Sequence, residues 1–154
     1  SGYVNYRQIG WIKTDSSSDV IKFFNYQEDP NYFFYADNND EDYSSSIVNN
    51  TATTVVSKRC PPNGYAYIYA SIIYNSSNNN RHINLLVQSY GSNSSAVTAS
   101  NKIASGRSSS GDIQDTGYAK IKLNASGQYT ARIDNNGGDT TPIVLSTHAY
   151  SFHR

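Results

Sequence analysis

Apolar and polar residues alternate along much of this chain, between clusters of turn-forming residues, as in strands that lay one face on a core. The alternation is sharpest over residues 65–74, where Ala66, Ile68, Ala70 and Ile72 fall on one side and Tyr65, Tyr67, Tyr69 and Ser71 on the other. A polar Asn/Ser run at 75–80 leads into residues 81–90, where Ile83, Leu85 and Val87 oppose His82, Asn84 and Gln88. Together these two stretches read as a long hairpin with one buried face.

The same pattern predicts strands over residues 3–13, 20–27, 32–36, 48–58, 96–104, 117–123, 128–134 and 142–152. Turns are expected at 28–31, at Pro61-Pro62-Asn63-Gly64 and at 135–139, with a polar, acidic loop over 37–46. No helical period of any length and no internal repeat emerges. About nine short strands at close spacing predict a single all-β domain over residues 1–154, an antiparallel β-sandwich of jelly-roll type. Its expected core is Ala66, Ile68, Ile72, Ile83, Leu85, Val87, Ile121, Leu123 and Ile133, since a one-residue slip of any strand would expose the whole apolar set.

Composition sharpens this reading. The chain has 154 residues with 14 Tyr and no Met, and 12 Lys+Arg cancel 12 Asp+Glu. Charge this sparse and balanced excludes the broad positive footprint of a nucleic-acid binder or basic membrane-surface module. No apolar run approaches the roughly 20 residues of a membrane-spanning helix, and no signal peptide is read at the start. The single Cys60 excludes an intramolecular disulfide and a Cys-based zinc site, and is expected as a small buried filler. The opening Ser1-Gly2 and the lack of Met lead us to expect a fragment, either an excised module or one carrying a tag remnant. Sequons at Asn49, Asn75, Asn93 and Asn124 are no more than this Asn, Ser and Thr content produces by chance.

Candidate chemistry is thin. Asp37, Asn39 and Glu41 have the spacing of a calcium loop, but the motif's Gly at its sixth position and closing Glu at its twelfth are missing, so a solvated loop is expected. His82, His148 and His153 form no metal-ligand spacing, no Gly-x-Ser-x-Gly elbow occurs, and no carboxylate stands in an apolar setting. The expectation is a protein without catalysis, metal or cofactor. Tyr is the loudest signal, because its ring stacks and its hydroxyl bonds, which suits sugars and protein interfaces alike. The stripe Tyr65, Tyr67, Tyr69 reads as a packed sheet face or subunit interface, with a glycan platform as the alternative. The run Tyr32-Phe33-Phe34-Tyr35 puts aromatics on both faces of one strand, which an oligomer covers readily, and Trp11 reads as core or interface.

The stretch from Gly2 through Tyr3, Arg7, Gln8, Ile9, Gly10 and Trp11 to Thr14-Asp15, followed by Ser18-Asp19-Val20-Ile21-Lys22-Phe23, resembles a domain of tailed-phage and prophage fibre proteins. There a Gly-Tyr segment leads into an Arg-Arg-Ile-Gly-Ser-Ile-Arg-Thr-Asp-like run, a short turn and an aromatic strand. Pro62-Asn63-Gly64 matches that family's Pro-x-Gly step, and the likeness runs loosely through a Thr-containing strand near the end. Gln8 stands where a second Arg is common, Trp11 where Ser is common, and residues 25–32 replace the usual Gln-x-Gly-Asp turn. The resemblance implies a homotrimeric β-sandwich at the distal end of a virion fibre, and it carries over no binding residue.

The expected function is therefore non-catalytic attachment to a bacterial cell-surface glycan or protein, on the virion, with no nucleic acid and no membrane insertion. The rivals are a purely structural capsid-decoration or fibre-assembly domain and a secreted lectin module. Loops on a rigid sheet scaffold are the expected ligand site, chiefly residues 37–46, 75–80 and 135–139. Tyr43 and Tyr74 would stack on a sugar ring, Asn79 and Asp139 would pair with hydroxyls, and Arg81 would engage an acidic sugar or phosphate.

Overall fold

The alternating segments form ten strands in the structure, a computed structural model that describes residues 12, 14, 17–20, 22–26, 29–35, 41–76, 81–92, 101–108, 111–136 and 140–151. They are β1 (Phe23–Tyr26), β2 (Asp29–Tyr35), β3 (Tyr43–Val48), β4 (Thr53–Val56), β5 (Tyr65–Ser76), β6 (Arg81–Ser89), β7 (Lys102–Ser108), β8 (Gly111–Lys122), β9 (Gln128–Asn135) and β10 (Thr140–Ser151). The expected strand over residues 3–13, with Trp11, lies outside the described residues except for Ile12. No helix occurs among the described residues.

All strand pairs are antiparallel and fall into two sheets. The larger runs β1-β2-β10-β5-β8, with β3 also paired to β10, and the smaller runs β4-β9-β6-β7. One side of β10 is shared end to end, by β3 from Thr140 to Leu145 and by β2 from Ala149 to Ser151. Apart from the β1–β2 hairpin, β3-β10-β5-β8 facing β4-β9-β6-β7 is the strand order of a jelly roll, whose chain crosses between sheets at most connections.

The core lies between the sheets. Ala66, Ile68, Ala70 and Ile72 of β5 are wholly buried, and Ile143 and Leu145 of β10 stand beside them. Ile83, Leu85 and Val87 of β6 and Tyr129, Ala131 and Ile133 of β9 face them from the smaller sheet. Every position of the expected core is buried, at about 1.5–3 kcal/mol for each large aliphatic side chain removed from water. Cys60 is buried here too, and burial pushes its thiol pKa far above the usual range.

Three expectations are corrected. First, β5 and β6 do not form a hairpin: β5 pairs with β10 and β8, and β6 with β7 and β9. Four residues separate the two strands, a length that also suits a hairpin, so loop length does not decide the pairing; each strand satisfies its backbone groups within its own sheet instead. Second, the stretch 48–58 is two strands in different sheets. Asn50 takes a left-handed conformation (φ 57°) and the Thr51 amide bonds back to the Val48 carbonyl at 3.1 Å, closing a turn. The neighbouring Asn49 grips Asn135 of β9 by accepting from its amide (2.8 Å) and donating to its carbonyl (3.0 Å). Third, strand begins inside two expected turns, at Asp29 and at Tyr43, because pairing with β1 and β10 satisfies backbone groups that propensity alone assigns to loops.

The sandwich closes tightly along the β7–β8 edge. A Cβ on Gly117 of β8 would lie 1.5 Å from the Ile103 carbonyl oxygen of β7, so only glycine permits this approach. The Ser105 amide donates to Asp115 Oδ2 at 2.6 Å across the same seam.

Candidate functional site

The jelly roll sets three surfaces that could carry function: its two ends, where connections gather, and the outer face of the larger sheet.

One end collects the strand termini that flank residues 77–80 and 137–139. Ser76 pairs with Gly111, Arg81 with Ser108, Ile83 with Asn135, and Thr140 with Val48. The Asn136 side chain accepts from the His82 amide at 3.0 Å, tying β9 to β6 there. Tyr74, in β5 opposite Ile113, and Arg81, first residue of β6, belong to this end by backbone register. Asn79 and Asp139 lie outside the described residues. Tyr43 does not join them. It opens β3 opposite Leu145 at the other end, with its ring half-buried against the core and its hydroxyl donating to the Ser46 carbonyl at 3.3 Å.

The opposite end holds a cleft of about 220 Å³ lined by Ser57, Arg59, Cys60, Pro61, Gly127 and Tyr150, among others. Beneath it runs a directed chain of hydroxyls. Thr147 Oγ1 donates to Asp42 Oδ2 at 2.5 Å, so the 2.8 Å contact between Ser57 and Thr147 has Ser57 as its donor. Ser57 Oγ in turn accepts the Cys60 amide at 3.1 Å. Asp42 also receives the Lys58 amide (2.7 Å) and the Tyr129 hydroxyl (3.4 Å). Burial outweighs these donors and holds the Asp42 carboxyl above its usual pKa; burial first, and then the nearby carboxylate, push Tyr129 well up. A serine aimed at a carboxylate through a threonine lacks the basic nitrogen that activates a nucleophile. The arrangement serves as a buried clamp joining residues 42, 57 and 147 from three separated segments.

The outer face of the larger sheet is the most distinctive surface. Polar side chains normally cover the solvent side of an antiparallel sheet, but here the outward residues include Tyr65, Tyr67 and Tyr69 of β5, Tyr118 of β8, Tyr32 and Phe34 of β2, and Phe24 of β1. Tyr69 and Tyr118 sit directly opposite each other with ring centres 5.1 Å apart. His148, the extra residue of a bulge between Thr147 and Ala149, turns outward and meets both rings edge-on, at 5.2 and 6.1 Å. Burial and the Arg59 charge lower the His148 pKa, which keeps its imidazole neutral near pH 7. Tyr32 meets Tyr67 edge-on at 4.8 Å, and Phe24 stacks on Phe34 at 5.2 Å.

Lysines interleave with these rings. Lys120 stands 5.0 Å from the Tyr65 ring centre and 5.3 Å from that of Tyr67, and Lys122 stands 4.5 Å from Tyr65, distances typical of cation–π contact. Lys122 also donates to the Asn63 carbonyl. Beyond Tyr69 the face continues into a groove of about 230 Å³, whose walls include Ser44, Ser46, Ser71, Ile73, Pro142 and Val144. Phe24, Phe34, Val48, Ile73 and Tyr118 all stand exposed on this one face, Tyr118 at 71%. The Tyr stripe of β5 was legible as a shared face. Its lysine and histidine partners were not, because they come from β8 and β10, whose pairing with β5 no local pattern announces. Comparison of the chain with known protein families, curated proteins and solved structures yields no match.

Proposed function

We propose that this chain is a non-catalytic attachment module, the receptor-binding tip domain of a virion fibre, which engages a glycan on a bacterial surface. The observation that carries this reading is the outer face of the larger sheet. Aromatic rings there are held in edge-to-face, tilted and stacked contacts on a rigid jelly roll, braced by one another, as a platform for flat-faced ligands. The N-terminal resemblance to phage fibre domains supplies the biological setting. The Phe24–Phe34 corner, an apolar stack on the β1–β2 hairpin, is the natural contact for further copies in a homotrimer. The loop end that includes Tyr74 and Arg81 is the second candidate contact with the receptor.

The test is adsorption of the purified domain to a broad panel of bacterial strains. Saturable adsorption to some strains and not others is expected. Adsorption to none, with tight binding to virions instead, would favour a structural decoration or assembly domain, a reading to which the exposed Phe24–Phe34 stack also lends itself. Separate Ala substitutions of Tyr43, Asn79, Arg81 and Asp139 test the loop site. If all four variants adsorb like the parent, the loops are not the contact.

A further inference from the structure

We infer that the outer face of the larger sheet is specific for carboxylated saccharides, with Tyr118 as the stacking surface and Lys120 as the carboxylate partner. This rests on the reading above and names its ligand class.

The inference starts from charge. The chain as a whole is neutral, but this face is not. From Gln114 to Lys122 of β8, from Tyr65 to Ile73 of β5 and from Pro142 to Ser151 of β10, no outward register position carries Asp or Glu, while Lys120 and Lys122 both point outward. Asp115, the one carboxylate of that stretch of β8, stands opposite Ile72 on the inner side and is bonded to Ser105. Within these stretches the surface is thus cationic and aromatic, and the next outward acidic position, Asp112 opposite Asn75, lies past the Ile73 end, so the complement of the lysine end is an anion with a stackable body.

Geometry narrows the anion. Tyr118 is the most exposed of the rings described, and Tyr69 and His148 brace it from behind, so its free side is oriented before any ligand arrives. Lys120 follows two residues later on the same side of the same strand, about 7 Å along it. Because the Lys120 ammonium leans on toward Tyr65 and Tyr67, a saccharide with one ring stacked on Tyr118 and the carboxylate of its next unit reaching Lys120 fits that spacing. Hydroxyls of further units would meet Ser71, Ser46 and Ser44 in the groove that continues the face. From Tyr65 to Ile73 the face extends about 27 Å along β5, which accommodates several sugar units.

Two other occupants fit less well. A second copy packed through this face would offer the lysines no carboxylate from the corresponding stretches, since these carry none on the outward side. A nucleic acid needs a run of cations along its phosphates, and here two lysines stand at one end of a face whose other end is a serine-lined groove.

The test measures binding of the full chain to immobilised carboxylated polysaccharides (polygalacturonate, alginate, hyaluronate and polysialate). Uncharged partners (methyl-esterified polygalacturonate and dextran) and single-stranded DNA serve as comparisons. Binding to at least one carboxylated polymer is expected, weakened at least tenfold by methyl esterification or by Tyr118→Ala. Lys120→Gln should weaken it several-fold and flatten its salt dependence. Tyr90→Ala, an exposed tyrosine outside this sheet, should leave it unchanged. The inference is overturned if no carboxylated polymer binds, if the ester or DNA binds as well, or if Tyr118→Ala and Lys120→Gln, folded by circular dichroism, bind like the parent. Adsorption to bacteria separates the two levels. A parent that adsorbs while Tyr118→Ala and Lys120→Gln adsorb equally well sinks this inference alone, and a parent that adsorbs to no strain sinks the attachment function.

Discussion

Gly117→Ala should be among the most damaging single-methyl changes available to this protein. The added carbon would sit 1.5 Å from the Ile103 carbonyl oxygen and 2.6 Å from its carbon, where contacts under 3.0 Å essentially never occur. The two strands must therefore part by about 1.5 Å (3.0 minus 1.5) before the methyl is merely crowded. Both obstructing atoms are backbone in a paired strand, so no rotamer change relieves them. Overpacking of a well-filled site costs about 1–3 kcal/mol, and the upper end applies where backbone must move. Parting β7 from β8 also stretches the Ser105–Asp115 bond, a charge-assisted contact worth about 1.5–3 kcal/mol. Together these come to about 4.5–6 kcal/mol, a large share of the 5–15 kcal/mol that holds most domains folded. Urea unfolding followed by circular dichroism should show the midpoint falling by roughly 2–3 M, taking a slope near 2 kcal/mol/M. Gly91→Ala is the comparison, because Gly91 has φ 80° and nothing within 4 Å of a new methyl, so it costs only backbone strain of about 1–2 kcal/mol. A Gly117→Ala midpoint no lower than that of Gly91→Ala would show that the β7–β8 seam is not built as described.

Three further outcomes are expected. Because the Asp42 pKa is raised in the folded protein, its contribution is fully present below 3.8 and is lost as pH rises through the folded value. The unfolding free energy of the parent relative to Asp42→Asn should therefore grow as pH falls from 7 toward 4, and a decrease would contradict the burial of that carboxyl. Cys60, buried and with its thiolate strongly disfavoured, should react with a thiol reagent at the rate of protein opening and at full speed in denaturant; prompt reaction of the native protein would place it at the surface. Sedimentation equilibrium should give a trimer mass for the parent and a monomer mass for Phe34→Asp, and a monomeric parent at micromolar concentration would refute trimerisation of this chain.

How far the sequence carried the fold depends on which forces act locally. Which face of each strand is buried was legible, since Ala66 through Ile72 and Ile83 through Val87 record it in their own alternation. Which sheet each strand joins was not, because the Asn/Ser run after β5 serves a hairpin and a sheet crossing equally well. The turn at Asn50 had a visible signal in Asn49-Asn50 between two β-branched residues, masked by the Thr and Val that follow. Asp42 looked like any acidic loop residue. Its burial depends on Thr147 and Tyr129, 105 and 87 residues away in the chain, and the one available hint was a Thr in the core register after Ile143 and Leu145. Of the candidate binding residues, Tyr74 and Arg81 flank one link at the same end of the sandwich, whereas Tyr43 was drawn into β3 at the other end by pairing with β10. The lysine-topped aromatic face escaped notice because Lys120 and Tyr118 meet Tyr65, Tyr67 and Tyr69 only through the β5–β8 register.

The most direct test of the attachment function is competition on whole cells. Labelled domain is bound to a susceptible strain in the presence of surface polysaccharide purified from that strain, and the polysaccharide is then recovered and its chain length measured. Attachment without chemistry predicts that the polysaccharide abolishes adsorption in a saturable manner and returns at its original length. Adsorption indifferent to the polysaccharide would mean the receptor is not the glycan, and a shortened polymer would show that the domain is an enzyme.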